Sequence, residues 1–268
     1  MDETSHPVGA LLKDWRQRRR LSQLALASDA DVSQRHLSFV ETGRSAPSRS
    51  MVLRLAERLD IPLRERNALL LAAGYAPSYR QSSLEAADSG AIRTQIQSIL
   101  DGHSPNPALA VDRYWTLIAS NRVLAALLGD ADPALAVPPV NVLRLTLGPG
   151  AIADRIANYR EWRAHILHRL ARDVERSADP ALGNLLTELR GYAPPPGARP
   201  YRANAGAEAR ALAVPLELAM PRGVLRLIST TTVFGTATDV TLSEIVLECF
   251  YPIDEAGAAI LNDLAAGP

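Results

Sequence analysis

SQLALASDADVSQRHLSFVETG, residues 22–43, decides how the first third of the chain is read. Ser22 and Ser33 each stand where a helix should begin, because a serine hydroxyl satisfies amide protons that a first turn leaves unpaired. Leu24, Leu26 and Ala27 mark one short helix. Leu37 and Val40 mark the buried side of a second, which Gly43 stops. Ala27 is small where the two helices must cross closely, and Val32 follows the turn. Asp31 falls in the turn, and aspartate is one of the few side chains tolerated in the left-handed region. Advancing about 100° per residue with Leu37 and Val40 inward turns Arg35, Ser38, Phe39 and Thr42 outward. Gln34 then sits at the exposed N-terminal edge.

Working outward, Val8, Leu11, Leu12 and Trp15 form one apolar stripe at i, i+3, i+4, i+7. That helix ends in Arg16, Arg18, Arg19 and Arg20, where cations complement the negative helix terminus. Val52, Leu55, Ala56 and Leu59 repeat the spacing after a cap at Ser48 or Ser50. Pro62 fits the first turn of a fifth helix, closed by Gly74. Five short helices without a strand predict an all-α N-terminal domain over residues 1–76.

The two-helix spacing of residues 22–43 is similar to the helix-turn-helix of phage-repressor-like (XRE-type) regulators. Glu41, Gly43, Arg44, Pro47 and Ser48 also agree, as does the Leu53, Leu55, Ala56, Leu59 series, so the resemblance spans about residues 8–75. It implies a reader of double-stranded DNA whose second motif helix enters the major groove. Arg35 then pairs with guanine O6/N7, Gln34 with adenine, and Phe39 touches a thymine methyl, with Ser38 and Thr42 on the same face. Gln23, Arg44 and Arg49 fall where phosphates set the register, and Ser33, at the start of the second motif helix, is counted with the DNA-binding residues. Arg16 to Arg20 read equally well as phosphate contacts or as an ordinary helix end. His36 reads as packing or capping, and Glu41 as a buried cap partner.

Composition narrows the class. The 268 residues carry 29 basic and 29 acidic side chains and 47% hydrophobic residues, which excludes wholesale disorder. Up to residue 80 there are 13 basic and 9 acidic side chains, leaving 16 against 20 beyond it. A basic first third suits a polyanion. The single cysteine, Cys249, rules out a disulfide framework and any cysteine-based zinc site. No run approaches the ~18 apolar residues of a membrane span, and Met1 to His6 do not form a signal peptide, so a cytoplasmic location without membrane contact is expected.

Residues 77–104 read as a linker and connecting helix, the helix covering Ala91 to Leu100. Beyond Pro107 the texture becomes mixed. Ala108–Tyr114 and Trp115–Ala119 read as strands, Asn121–Leu128 as a helix, and about Ile152 to Arg176 and Leu182–Leu189 as further helices. Leu212–Leu218, Val224–Val233 and Ile245–Tyr251 read as strands, with Gly223 turning a hairpin. An α+β domain with an antiparallel sheet is therefore expected over residues 105–268.

ALAVDRYWTLIASNRVLAALLG (108–129) resembles the opening of a PAS-like domain. NYREW (158–162), Phe234-Gly235-Thr236, Asp239-Val240-Thr241 and CFYPID (249–254) are similar to the ligand-binding domain of MmyB-like transcription regulators. This second resemblance implies a PAS-like pocket for a small amphiphile, in this family a fatty acid. A homodimeric regulator that requires no cofactor is expected. Trp115, Tyr159, Arg160 and Trp162 are the candidate lining residues, each with plain core or surface packing as its alternative. Two other readings stay open: a domain that only dimerises, and a DNA-tethered metal enzyme using Glu161, His165 and His168. The second lacks further ligands, and arginines flank its histidines. Gly148-Pro149-Gly150 lacks the lysine and serine of a phosphate loop, and no G-x-S-x-G is present. No enzyme is expected.

Overall fold

Serine hydroxyls open three early helices. The Ser22, Ser33 and Ser48 oxygens accept the amides of Ala25, His36 and Met51 at 3.0, 3.2 and 3.2 Å. In the computed structural model, residues 8–83, 90–128, 137–150, 152–200, 214–235 and 237–267 are described. Their contacts form two compact units: residues up to 82 with 237–243, and the remainder.

The first unit contains α1 (Val8–Arg18), α2 (Gln23–Asp29), α3 (Gln34–Glu41), α4 (Arg49–Arg58) and α5 (Leu63–Ala72). Leu12, Leu26, Leu37, Val52 and Leu55 are fully buried at its centre. Each such side chain contributes about 1.5–3 kcal/mol on leaving water. Gly9 lets α1 touch α3: a Cβ there would lie 2.0 Å from the Val40 carbonyl oxygen. The helical reading of this region holds.

The second unit starts with α6 (Gly90–Asp101), β1 (Ala108–Val111), β2 (Leu117–Ser120) and α7 (Arg122–Leu128). Next come α8 (Val142–Leu147), a 3₁₀ turn (Ile152–Arg155), α9 (Tyr159–Ser177) and α10 (Pro180–Gly191). β3 (Leu216–Met220), β4 (Gly223–Val233), β5 (Val246–Pro252) and α12 (Glu255–Ala266) complete it. The short α11 (Val240–Ser243) groups with the first unit. The strands form one antiparallel sheet in the order β2-β1-β5-β4-β3. This is the expected α+β architecture. Gly223, at φ +132°, pairs with Met220 across the β3–β4 turn. Asn121 knits the unit: its amide donates to the Leu100 and Asn106 carbonyls at 3.2 and 2.8 Å. Its oxygen accepts the Ala108 and Leu124 amides at 3.2 and 3.1 Å.

Four expected boundaries change. The first strand ends at Val111, because Asp112 Oδ1 accepts the Tyr114 and Thr116 amides at 2.8 and 2.7 Å and bends the chain. Trp115 therefore lies in that turn, at φ +65°, and not in a strand. The helix expected from about Ile152 is interrupted: Ile156 bridges to Leu218, and the Ala157 amide donates to the Glu217 carbonyl at 2.8 Å. Strand pairing outcompetes the helical pattern there. The strand expected from Leu212 begins at Leu216, with 212 and 213 outside the described residues. Helices α8, α11 and α12 were not anticipated.

Candidate nucleic-acid interface and ligand cavity

The bend between α2 and α3 is made as its sequence demands. Asp31 adopts φ +52°, and the Val32 amide donates to the Ala27 carbonyl at 2.9 Å. Leu37 and Val40, 0% and 1% exposed, seat α3 on the core. A polar clasp fixes its far end. Arg16 donates to both Glu41 carboxylate oxygens, at 2.6 and 2.8 Å, and to the Leu21 carbonyl at 2.8 Å. The Gln23 amide donates to Glu41 at 2.8 Å. Burial pushes the Glu41 carboxyl up, but hydrogen bonds from Arg16 and Gln23 and the charges of Arg16 and Lys13 outweigh it, leaving the group below the usual carboxylate range.

With its inner face committed, α3 offers its outer one. Gln34 and Arg35 are exposed, and Ser38 and Phe39 are half-buried beside them. The Arg35 guanidinium carbon lies 5.4 Å from the centre of the Phe39 ring. Thr42 is exposed and its hydroxyl donates to the Ser38 carbonyl at 2.8 Å. Ser33 serves as the cap of α3 with its hydroxyl exposed at the helix start. Arg44 is exposed, and Arg49 donates to the Ser78 hydroxyl at 2.6 Å. The structure therefore gathers Gln34, Arg35, Ser38 and Phe39 on one face, while the Gln23 amide turns to Glu41. Of the arginine run, Arg16 is buried in the clasp, Arg18 pairs with Asp14 at 2.7 Å, and Arg19 donates to the Leu59 carbonyl at 2.8 Å.

An apolar cavity lies inside the second unit. Its volume is about 70 Å³, a narrow slot. Every strand contributes a side chain: Leu109, Leu117, Leu218, Leu227 and Phe250. Leu124 of α7, Leu145 of α8, Trp162 of α9 and Arg155 of the 3₁₀ turn close it. The Trp162 indole N–H is buried without a hydrogen-bond partner among the described residues. Arg155 is the one cation on the wall among the described residues, and its guanidinium donates to the Leu127 carbonyl at 3.0 Å.

Of the four lining residues nominated by sequence, Trp162 reaches the cavity wall. Tyr159 is 1% exposed and its hydroxyl donates to the Leu147 carbonyl at 3.0 Å; burial pushes the phenol up. Trp115 is buried with the Arg169 guanidinium 4.6 Å over its ring. Arg160 is exposed. Arg155 was missed because nothing in its local pattern separates it from 27 other arginines. Gly9 and the Arg16–Glu41 clasp were missed as partners because each joins residues far apart in sequence.

His165 lies 5.4 Å from the Trp162 ring, and its pKa is lowered by burial and by Arg169 and Arg172. Among the described residues no group of three His, Cys, Asp or Glu side chains is assembled where a metal ion could be held. None of the described helices is long and apolar enough to cross a membrane.

Residues 92–264 match the family described as MmyB-like transcription regulator ligand binding domain, and residues 7–69 match the family described as helix-turn-helix domain. No curated protein matches the chain.

Proposed function

The chain belongs to the family of the MmyB-like transcription regulator ligand binding domain, and from that premise we propose that α3 reads an operator while the cavity takes a fatty acid. With its helix-turn-helix domain, it is a DNA-binding transcription regulator that carries a ligand-binding domain. The observation that supports the DNA reading is the division of α3: Leu37 and Val40 wholly inward, Gln34 and Arg35 outward. In this reading Arg35 forks onto guanine and Gln34 onto adenine, with Phe39 against a thymine methyl and Ser38 and Thr42 alongside. Arg44 and Arg49 meet phosphates, and Ser33 lies at the DNA-facing start of α3. Gln23 joins them only from its place beside Glu41.

The slot suits an alkyl chain, since each buried methylene contributes about 0.8 kcal/mol. The unpartnered Trp162 N–H and the Arg155 guanidinium supply the hydrogen-bond donors that a carboxylate head seeks. The regulator acts in the cytoplasm as a homodimer, so its operator carries two half-sites about one helical turn apart.

Selection of bound sequences from random duplex DNA tests the first part. A paired motif with an invariant G·C position that relaxes in Arg35→Ala supports it; enrichment without sequence preference overturns it. Native mass spectrometry of the purified protein tests the second. A retained or titratable fatty-acid mass supports the ligand class, and a clean dimer under the same conditions favours a domain that only dimerises.

A further inference from the structure

The connection between β4 and β5 leaves its own sheet. Residues 237–243, flanked on both sides by strands of the second unit, pack within the first unit instead. Asp239 anchors them there. Its Oδ2 accepts the backbone amide and the hydroxyl of Ser82, at 3.0 and 2.7 Å. Its Oδ1 accepts the amides of Thr241 and Leu242, at 2.9 and 3.2 Å, and so starts α11. The Val240 amide donates to the Arg80 carbonyl at 2.8 Å, and the Thr241 hydroxyl donates to the Ser82 carbonyl. Asp239 is 9% exposed and Val240 is fully buried. A carboxylate with four donors, 157 residues away in sequence from its partner Ser82, is more than a turn former needs.

The two strands joined by this segment are cavity walls: Leu227 stands on β4 and Phe250 on β5. They remain paired up to Val233 and Val246, next to the segment itself. The chain joins these strand ends, through 234–236 and 244–245, to the segment held in the helical unit.

We propose that residues 237–243 are the tether through which the helical unit and the β4–β5 wall of the cavity exchange free energy, with Asp239 as its positioning residue. The tether itself follows from Asp239 and the chain path; its use by a ligand rests on the function proposed above. Linkage is reciprocal, so a ligand that shifts β4 and β5 alters DNA affinity by the same factor by which DNA alters ligand affinity.

Two full-length variants test it. Asp239→Ala removes the anchor. Insertion of three glycines after Gly235 and of three more after Ser243 keeps the anchor and slackens the tether at both ends. Scanning calorimetry of the wild type should give one transition, and each variant should give two. The insertion variant separates coupling from a merely structural cap, because it leaves every Asp239 bond in place, and it decides the matter if Asp239→Ala fails to fold. Two transitions in the wild type, or one in the insertion variant, overturn the proposal. With laurate as probe, DNA affinity should change at least about fivefold in the wild type and not in the insertion variant. An equal laurate response in both overturns the tether. Absence of laurate binding instead removes the fatty-acid reading, and calorimetry still decides the tether.

Discussion

Helix α3 and helix α9 both carry side chains that the sequence nominates for contact with a partner, and they present them in opposite directions. α3 is short and lies on the surface of its unit, so the residues that are not core are by elimination the ones a partner meets. α9 is long and packed by α10 along one side, and its nominated residues scatter: Tyr159 and Trp162 inward, Arg160 outward. The lesson is geometric. An outward face is defined by one helix and its period, whereas a cavity is defined by all the elements around it.

That contrast can be broken by substitution, and the largest effect belongs to the support of α3. Glu41→Ala should cost about 3–5 kcal/mol in denaturant unfolding, because it leaves Arg16 buried without its partner. Replacing both residues by apolar ones of similar volume should recover most of that loss. The same clasp sets a pH dependence. The folded Glu41 carboxyl titrates below its ordinary range, so its contribution is complete above the unfolded pKa and disappears as pH falls through the lowered folded one. An Arg16→Met/Glu41→Leu pair should flatten the acid limb of the stability curve; an unchanged limb would show that other carboxylates govern it.

An inward residue of α9 should couple stability and ligand. Trp162→Ala is expected to cost about 3–5 kcal/mol and to widen the slot. Trp162→Phe keeps most of the ring and removes the N–H, so it should cost under about 1.5 kcal/mol while weakening any carboxylate head group. Unchanged laurate affinity in Trp162→Phe would remove the special place of the indole N–H.

An outward residue of α3 should do the reverse. Arg35→Ala should leave unfolding within about 0.5 kcal/mol of wild type. It should cost about 1–3 kcal/mol in binding at a single base position and relax specificity there. A uniform loss over all DNA sequences would mean that Arg35 meets phosphate. The smallest effect is expected at Arg49. Arg49→Ala should weaken binding evenly and reduce the salt slope by about one, and an unchanged slope would assign the side chain to Ser78 alone.

What could be read ahead of the structure follows the same line. The five helices, their serine caps, the Asp31 bend and the orientation of α3 depend on residues within one or two turns of each other. The succession of strands and helices in the second unit was legible for the same reason, through the β-branched and aromatic composition of β4 and β5 and the break at Gly223. The interruption at Ile156–Asn158 was hidden because its cause, the edge of β3, lies about 60 residues downstream: Asn158 accepts the Glu217 amide at 3.1 Å and donates to the Pro215 carbonyl at 2.8 Å. Asp239-Val240-Thr241 was legible as a motif, but its partner Ser82 was not.

Local pattern alone determined a helical domain followed by an α+β domain, because capping, helical period and strand composition are short-range properties of the chain. Tertiary structure decided which arginine faces the cavity, which glutamate receives Arg16, and where the β4–β5 connection docks. Those outcomes depend on desolvation and on donors meeting acceptors across distant segments, and such energies do not exist until the segments are packed together.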